Sequence, residues 1–132
     1  MDTKALINFS SHALSQKAKD SLSPHFDIIE EVFIHNINFN ENVEEQLREI
    51  IRNVKTPLDG SIPITLIVPG QATIAVLLIT FLSGIIGHIP DICLLEMDED
   101  GFYVPTTSFI LSGNNIKTSG RKFRQELWSS KK

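Results

Sequence analysis

Two short clusters hold the residue types that could do chemistry. The first is Ser10-Ser11-His12, which directly follows the mostly apolar run Ala5-Leu6-Ile7-Asn8-Phe9. Serine hydroxyls can hold phosphate or sugar oxygens, and an imidazole titrates near neutral pH, where it can serve as general acid or base. The second cluster, Pro69-Gly70-Gln71-Ala72-Thr73, follows the apolar run Ile62 to Val68. Glycine there lets a ligand come close to the backbone. Gln71 to Thr73 are placed to form the first turn of a helix, whose unpaired amides carry about half a positive charge between them. The second cluster is therefore a candidate phosphate seat flanked by amide and hydroxyl side chains. Each cluster also has a plainer reading. Pro-Gly before a helix is a turn, Ser10 and Ser11 serve as local caps, and His12 is a polar loop residue.

Other polar residues offer less. His35, near the end of an expected strand, could line the pocket together with Asn36 and Asn38. His88, beside Gly87 and Pro90, reads as a cation at a helix terminus, and His25 as part of a turn. No histidine pair has metal-ligand spacing with cysteine or carboxylate support, so neither a metal nor a cofactor is expected. The chain lacks GxGxxG, a P-loop GKS or GKT, and GxSxG. Ordinary dinucleotide, triphosphate and esterase chemistry is thereby set aside. Cys93 sits alone in an apolar run, as a small buried hydrophobe of a reducing cytosol does.

The elements that must position these clusters alternate. Ala5 to Phe9 reads as strand one, and Ser15 caps a helix that runs to Leu22 before Pro24. Strand two lies within Phe26 to Ile37. Asn40 or Asn42 caps the next helix, in which Val43, Leu47, Ile50, Ile51 and Val54 form one apolar face. Ile62 to Val68 is strand three, nearly all apolar as a strand buried on both faces must be. Ala72 to Ile86 is a long apolar helix, and Ile92 to Met97 is strand four. Asp98-Glu99-Asp100-Gly101 is hairpin-turn chemistry, so Phe102 to Val104 should return antiparallel. From about 114 the tail is polar and basic, partly flexible, with a helix expected from Arg121 to Trp128. The order β-α-β-α-β-α-β-β predicts one α/β domain over residues 1–132, Rossmann-like, with helices on both faces. The expected strand order is 2-1-3-4 with an antiparallel edge strand. In such a sheet ligands bind beyond the carboxyl ends of the strands where the winding reverses, which brings the two clusters together.

Ala72 to Ile86 is too short for the roughly 20 apolar residues of a membrane span, and Thr80 and Ser83 interrupt it. A helix apolar all round must be covered all round. The simplest cover is the same helix of a second copy, approached closely at Gly84 and Gly87, unless Gly87 only ends the helix. A homodimer is the expectation, with room for a larger assembly built from it.

Composition sets the outer limits. The 132 residues are 42% hydrophobic and 21% charged, enough for one self-sufficient core. A net charge of −4 gives no broad cationic face for a long nucleic acid. Lys4 to Phe9 is too short for a signal segment, which points to the cytoplasm.

Three runs together resemble a known group: Leu6-Ile7-Asn8-Phe9-Ser10-Ser11-His12, Ile67-Val68-Pro69-Gly70-Gln71-Ala72 and Gly84-Ile85-Ile86-Gly87-His88-Ile89-Pro90. They look like the small stand-alone CRISPR-associated proteins of type III systems, whose domain is akin to the CRISPR-associated Rossmann fold (CARF). The likeness runs from about Leu6 to Leu111. It implies a dimer that binds a cyclic oligoadenylate, an antiviral second messenger, across its axis through the loops after strands one and three. Asn8, Phe9, Ser10, Ser11, His12, Pro69, Gly70, Gln71, Ala72 and Thr73 are the implied ligand residues, with Arg121 or Arg124 closing over them. Some relatives act as metal-independent ring nucleases and others only sequester the ring. In the family pattern serine is followed directly by histidine and then proline. Here Ser11 is interposed and Ala13 replaces the proline, which shifts the expectation for His12 from catalysis toward binding. The expected function is sequestration of cyclic tetra-adenylate, with ring cleavage as the alternative. A ligand-free module that binds a protein partner through its apolar helix is the rival from another class.

Overall fold

The computed structural model describes residues 3–130. Nine elements follow one another: β1 (Ala5–Asn8), α1 (Gln16–Leu22), β2 (Ile28–Glu31), α2 (Val43–Arg52), β3 (Ile64–Ile67), α3 (Ala72–Ile86), β4 (Asp91–Met97), β5 (Tyr103–Leu111) and α4 (Gly113–Ser130). The strands form one sheet in the order β2-β1-β3-β4-β5. The first four are parallel and β5 is antiparallel to β4, as the alternation of elements requires. β1 is flanked by β2 and β3, with Leu6 opposite both Ile29 and Thr65.

Both faces of β1 and β3 are buried, which is why their sequences are apolar without alternation. On one face Ala5, Ile7, Phe9, Ile64 and Leu66 pack with Leu47 and Ile50 of α2 and Leu78 and Leu82 of α3. On the other, Leu6, Ile67 and Cys93 pack with Ala18 and Leu22 of α1. Side chains of this size are worth about 1.5–3 kcal/mol each when fully buried. The clusters after β1 and β3 therefore project from the two most deeply buried strands of the sheet.

The helix ends follow from their sequence. Ser15 caps α1 by accepting from the Ala18 amide, and Asn42, rather than Asn40, caps α2 by accepting from Glu45. Gly87 ends α3 in the left-handed conformation at φ 86°, so it is a C-terminal cap, while Gly84 lies inside the helix facing open space. Within β2, Glu30 accepts from the Lys55 amide and from the amide and hydroxyl of Thr56, tying the sheet edge to the segment after α2. Burial works against the Glu30 carboxylate, but these donors outweigh it and hold its pKa below the usual value.

Two expectations change. β5 is a nine-residue edge strand rather than a short return over Phe102 to Val104. Its Pro105 is tolerated because an edge strand need not donate on both sides. The basic tail is helical from Gly113, eight residues before Arg121, because Ser112 caps it by accepting from the Asn115 amide. Lys131 and Lys132 lie outside the described residues. Within one chain α3 is covered on one side only. Leu78, Leu82 and Ile86 are buried, whereas Val76 is 62% exposed on a face shared with Thr73, Thr80 and Gly84. Among the described residues no helix is long and apolar enough to cross a membrane.

Candidate functional site

The loop after β1 is shaped by one buried amide. Asn8 is 2% exposed, and its Oδ1 accepts from the Ser10 amide at 2.9 Å and the Ser10 hydroxyl at 2.6 Å. Its Nδ2 donates to the His12 carbonyl at 2.8 Å, closing the loop on itself. Within the loop Ser11 takes up φ 64°, a left-handed conformation uncommon for serine. Its hydroxyl turns toward the chain beyond β2, accepting from the Ile34 amide and donating to the Ile34 carbonyl. Both serine hydroxyls are thus engaged in holding the loop. Phe9 is fully buried in the core. The His12 side chain is exposed at the crest of the loop and borders a depression on either side.

The larger depression, about 600 Å³, lies over the carboxyl ends of β1, β3 and β4. That volume falls within the range of small-molecule sites. Ser10, His12 and Ser15 line one side, Pro69 and Gly70 the other, Cys93 and Leu95 belong to β4 beneath, and Phe102 and Tyr103 come from the β4–β5 hairpin. The smaller depression, about 220 Å³, lies between the β1 loop and the chain after β2, against Glu31 and Phe33. β1 feeds a helix on one face of the sheet and β3 a helix on the other, so the larger crevice sits where the winding reverses.

α3 starts beside this crevice. Gln71 is its N-cap, and the side-chain Oε1 accepts from the Ile74 amide at 2.7 Å. The amides of Ala72 and Thr73 belong to the open first turn, which has no intrahelical acceptor to offer them. Gly70, Gln71, Ala72 and Thr73 are all exposed.

The hairpin wall is held from two directions. Asp98 accepts from the Asp100 and Phe102 amides, and Gly101 supplies the left-handed backbone at φ 84° that the turn needs. The Asp98 carboxylate also pairs with Lys17 of α1. That ammonium is the main reason the Asp98 carboxyl stays below its usual pKa, and Asp98 in turn raises Lys17. The Cys93 thiol is pushed up to about 11 by burial, so it stays protonated and serves as apolar floor.

The structure gathers Ser10, His12, Pro69 and Gly70 into one crevice, with Gln71, Ala72 and Thr73 at its border. It separates others from it. Asn36 borders a different depression with His35 and Gln46, and Asn38 is bonded to Gln46 through its backbone. Arg121 and Arg124 lie on α4, which starts at the opposite end of the sheet, so they do not close over the crevice of their own chain. Phe102 and Tyr103 are the residues sequence reasoning missed. Their signal was the Asp98-to-Gly101 turn, which returns the chain beside the end of β4. Among the described residues no group of three or more His, Cys, Asp or Glu could hold a metal ion. No protein-family model, curated protein or solved structure matches the chain.

Proposed function

We propose that this chain binds a cyclic oligoadenylate, foremost the ring of four, and lowers its free concentration by holding it. The observation that carries this reading is the crevice of about 600 Å³ between the β1 loop and β3, bordered by aromatic side chains and by an open helix start. Adenine needs an apolar or aromatic face on which to stack, and Phe102 and Tyr103 offer one. A phosphate needs amides that water has not been replaced from by protein, and the first turn of α3 beside Gly70 offers those. The resemblance of the Ser10-Ser11-His12 and Pro69-Gly70-Gln71-Ala72 runs to CARF-like proteins points to the same ligand class. A ring of four nucleotides is larger than the drug-sized ligands such a crevice encloses. Two copies, paired through the exposed Thr73, Val76, Thr80 and Gly84 face of α3, would share it.

A second reading is favoured by the position of His12. Its side chain is exposed at the crest between the two depressions, free to meet a ribose. Ring opening needs no metal and no protein nucleophile. A ribose 2′-oxygen forms a bond to phosphorus, the P–O5′ bond breaks, and a 2′,3′-cyclic phosphate and a 5′-hydroxyl result. The base takes the 2′-proton and an acid supplies one to the leaving oxygen. In-line positioning of the hydroxyl contributes much of such a rate, and helix-start amides stabilise the developing charge.

Calorimetry with cyclic tetra-adenylate tests binding, and no heat at micromolar concentration sinks it in favour of a protein-binding module without ligand. Radiolabelled ring under single-turnover conditions then separates the two readings. Intact rings after hours mean sequestration. Linear products, lost in His12→Ala while binding persists, mean cleavage.

A further inference from the structure

Glu31 is the only acidic or basic side chain, the His12 imidazole aside, among the described residues that line either depression. It ends β2 and stands opposite Asn8, the last residue of β1. It borders the smaller depression together with Asn8, Ser11, His12 and Phe33. Its Oε2 accepts from the Leu14 amide at 3.3 Å, and its Oε1 lies 3.5 Å from the Lys19 ammonium. Both contacts are long, and a carboxylate offers about four lone-pair sites, so acceptor capacity is left over. The side chain is 32% exposed, so a ligand can reach it.

A carboxylate repels phosphate and can only accept hydrogen bonds, so it calls for a ligand group that donates. In a nucleotide those donors are sugar hydroxyls and base amines, and position decides between them. In doubly wound folds that bind dinucleotides, a carboxylate about twenty residues beyond the phosphate-binding turn takes the ribose hydroxyl. The second strand runs beside the first, so its end faces the sugar of a nucleotide whose phosphate sits beyond strand one. Glu31 has this place. It follows the β1 loop by about twenty residues and closes the parallel neighbour of β1. Phe33, two residues further on, is 65% exposed and gives a base on that sugar a face for stacking. The Lys19 ammonium offsets the negative charge that a nearby phosphate would otherwise meet.

We infer that Glu31 is the residue by which this protein recognises ribose, its carboxylate accepting a hydrogen bond from the 2′-hydroxyl of a nucleotide seated in the smaller depression. The inference rests on the ligand reading above and adds to it a second seat and a choice of sugar. A ring joined through 3′ and 5′ oxygens keeps a free 2′-hydroxyl on every ribose, so the donor is always present. That hydroxyl is also what separates RNA from DNA.

The test compares two probes on the full chain, cyclic tetra-adenylate and the same ring built from 2′-deoxyadenosine. A site that hydrogen-bonds a hydroxyl rejects the analogue lacking it, because its own polar group is left unpaired. In calorimetry the parent should bind the ribose ring at least about tenfold more tightly than the deoxyribose ring. Glu31→Ala should bind the two rings within about twofold of each other, because neither then meets the carboxylate. The readout is a ratio, so a general weakening of the site, which acts on both rings alike, does not imitate it. Glu31→Gln keeps an acceptor for the Leu14 amide and carries the test if the alanine variant melts early. Without the charge its preference should fall to about threefold or less. A parent that binds both rings equally overturns this inference and leaves the ligand reading standing. A Glu31→Ala chain that folds and keeps the full preference does the same. A parent that binds neither ring ends both readings.

Discussion

Asn8 does for the β1 loop what a cap does for a helix. It is buried, and one amide side chain satisfies the backbone or hydroxyl of Ser10 and the carbonyl of His12. Asn8→Ala should cost about 1–3 kcal/mol of stability, because the Ser10 amide loses its partner and the His12 carbonyl keeps only the longer bond from the Ser10 hydroxyl. Thermal denaturation measures this, and ligand affinity should fall with it. A change within the error of the melt would mean that the loop is held by Ser11 and Ile34 instead. Cys93 gives the opposite kind of expectation. With its thiol pushed up to about 11 and its side chain buried, it should resist alkylation in the native protein at mildly alkaline pH and react promptly after unfolding. Rapid labelling of the folded chain would show that the crevice floor opens.

At the scale of elements, the hairpin from Asp98 to Phe102 is a wall fixed by charge. The Asp98 pKa lies below 3.8, so its contribution is complete above that value and is lost as pH falls through the depressed one. The Lys17 pKa lies above 10.5, so its contribution is complete below that value and is lost as pH rises past the raised one. The link should therefore be constant through neutral pH and open only in strong acid or strong base. Asp98→Asn should speed hydrogen exchange of the Gly101 to Tyr103 amides several-fold at pH 7, and exchange unchanged from the parent would refute the clamp. These elements were unequally legible in the sequence. Strand order and the αβ alternation could be read because β1 and β3 are apolar on both faces and each is followed by a cappable helix. β5 could not be read to its full length, since Pro105, Thr106, Thr107 and Ser108 resemble a loop until an edge position explains them. The start of α4 was hidden by Gly113 and Gly120. The aromatic wall was hidden for a different reason, because only the adjacency of β3 and β4 carries Phe102 and Tyr103 to the β1 loop.

At the scale of the whole molecule, charge is segregated rather than merely unbalanced. An acidic body carries a basic C-terminal helix, so any contact of one copy's helix with another copy's body is between opposite charges. Association should weaken as salt rises, since the opposed charges are exposed and screened within about 10 Å at 0.1 M. Sedimentation at low and high ionic strength reads this directly, and an assembly strengthened by salt would point to apolar contacts alone. The long outer strand carries a different consequence. Residues 103–111 contain no charged side chain, and Pro105 is their sole imino acid. Such a bare margin invites strand-to-strand stacking when nothing covers it. A lysine at the exposed Thr107 of this strand should therefore keep concentrated stocks clear for longer than the parent chain.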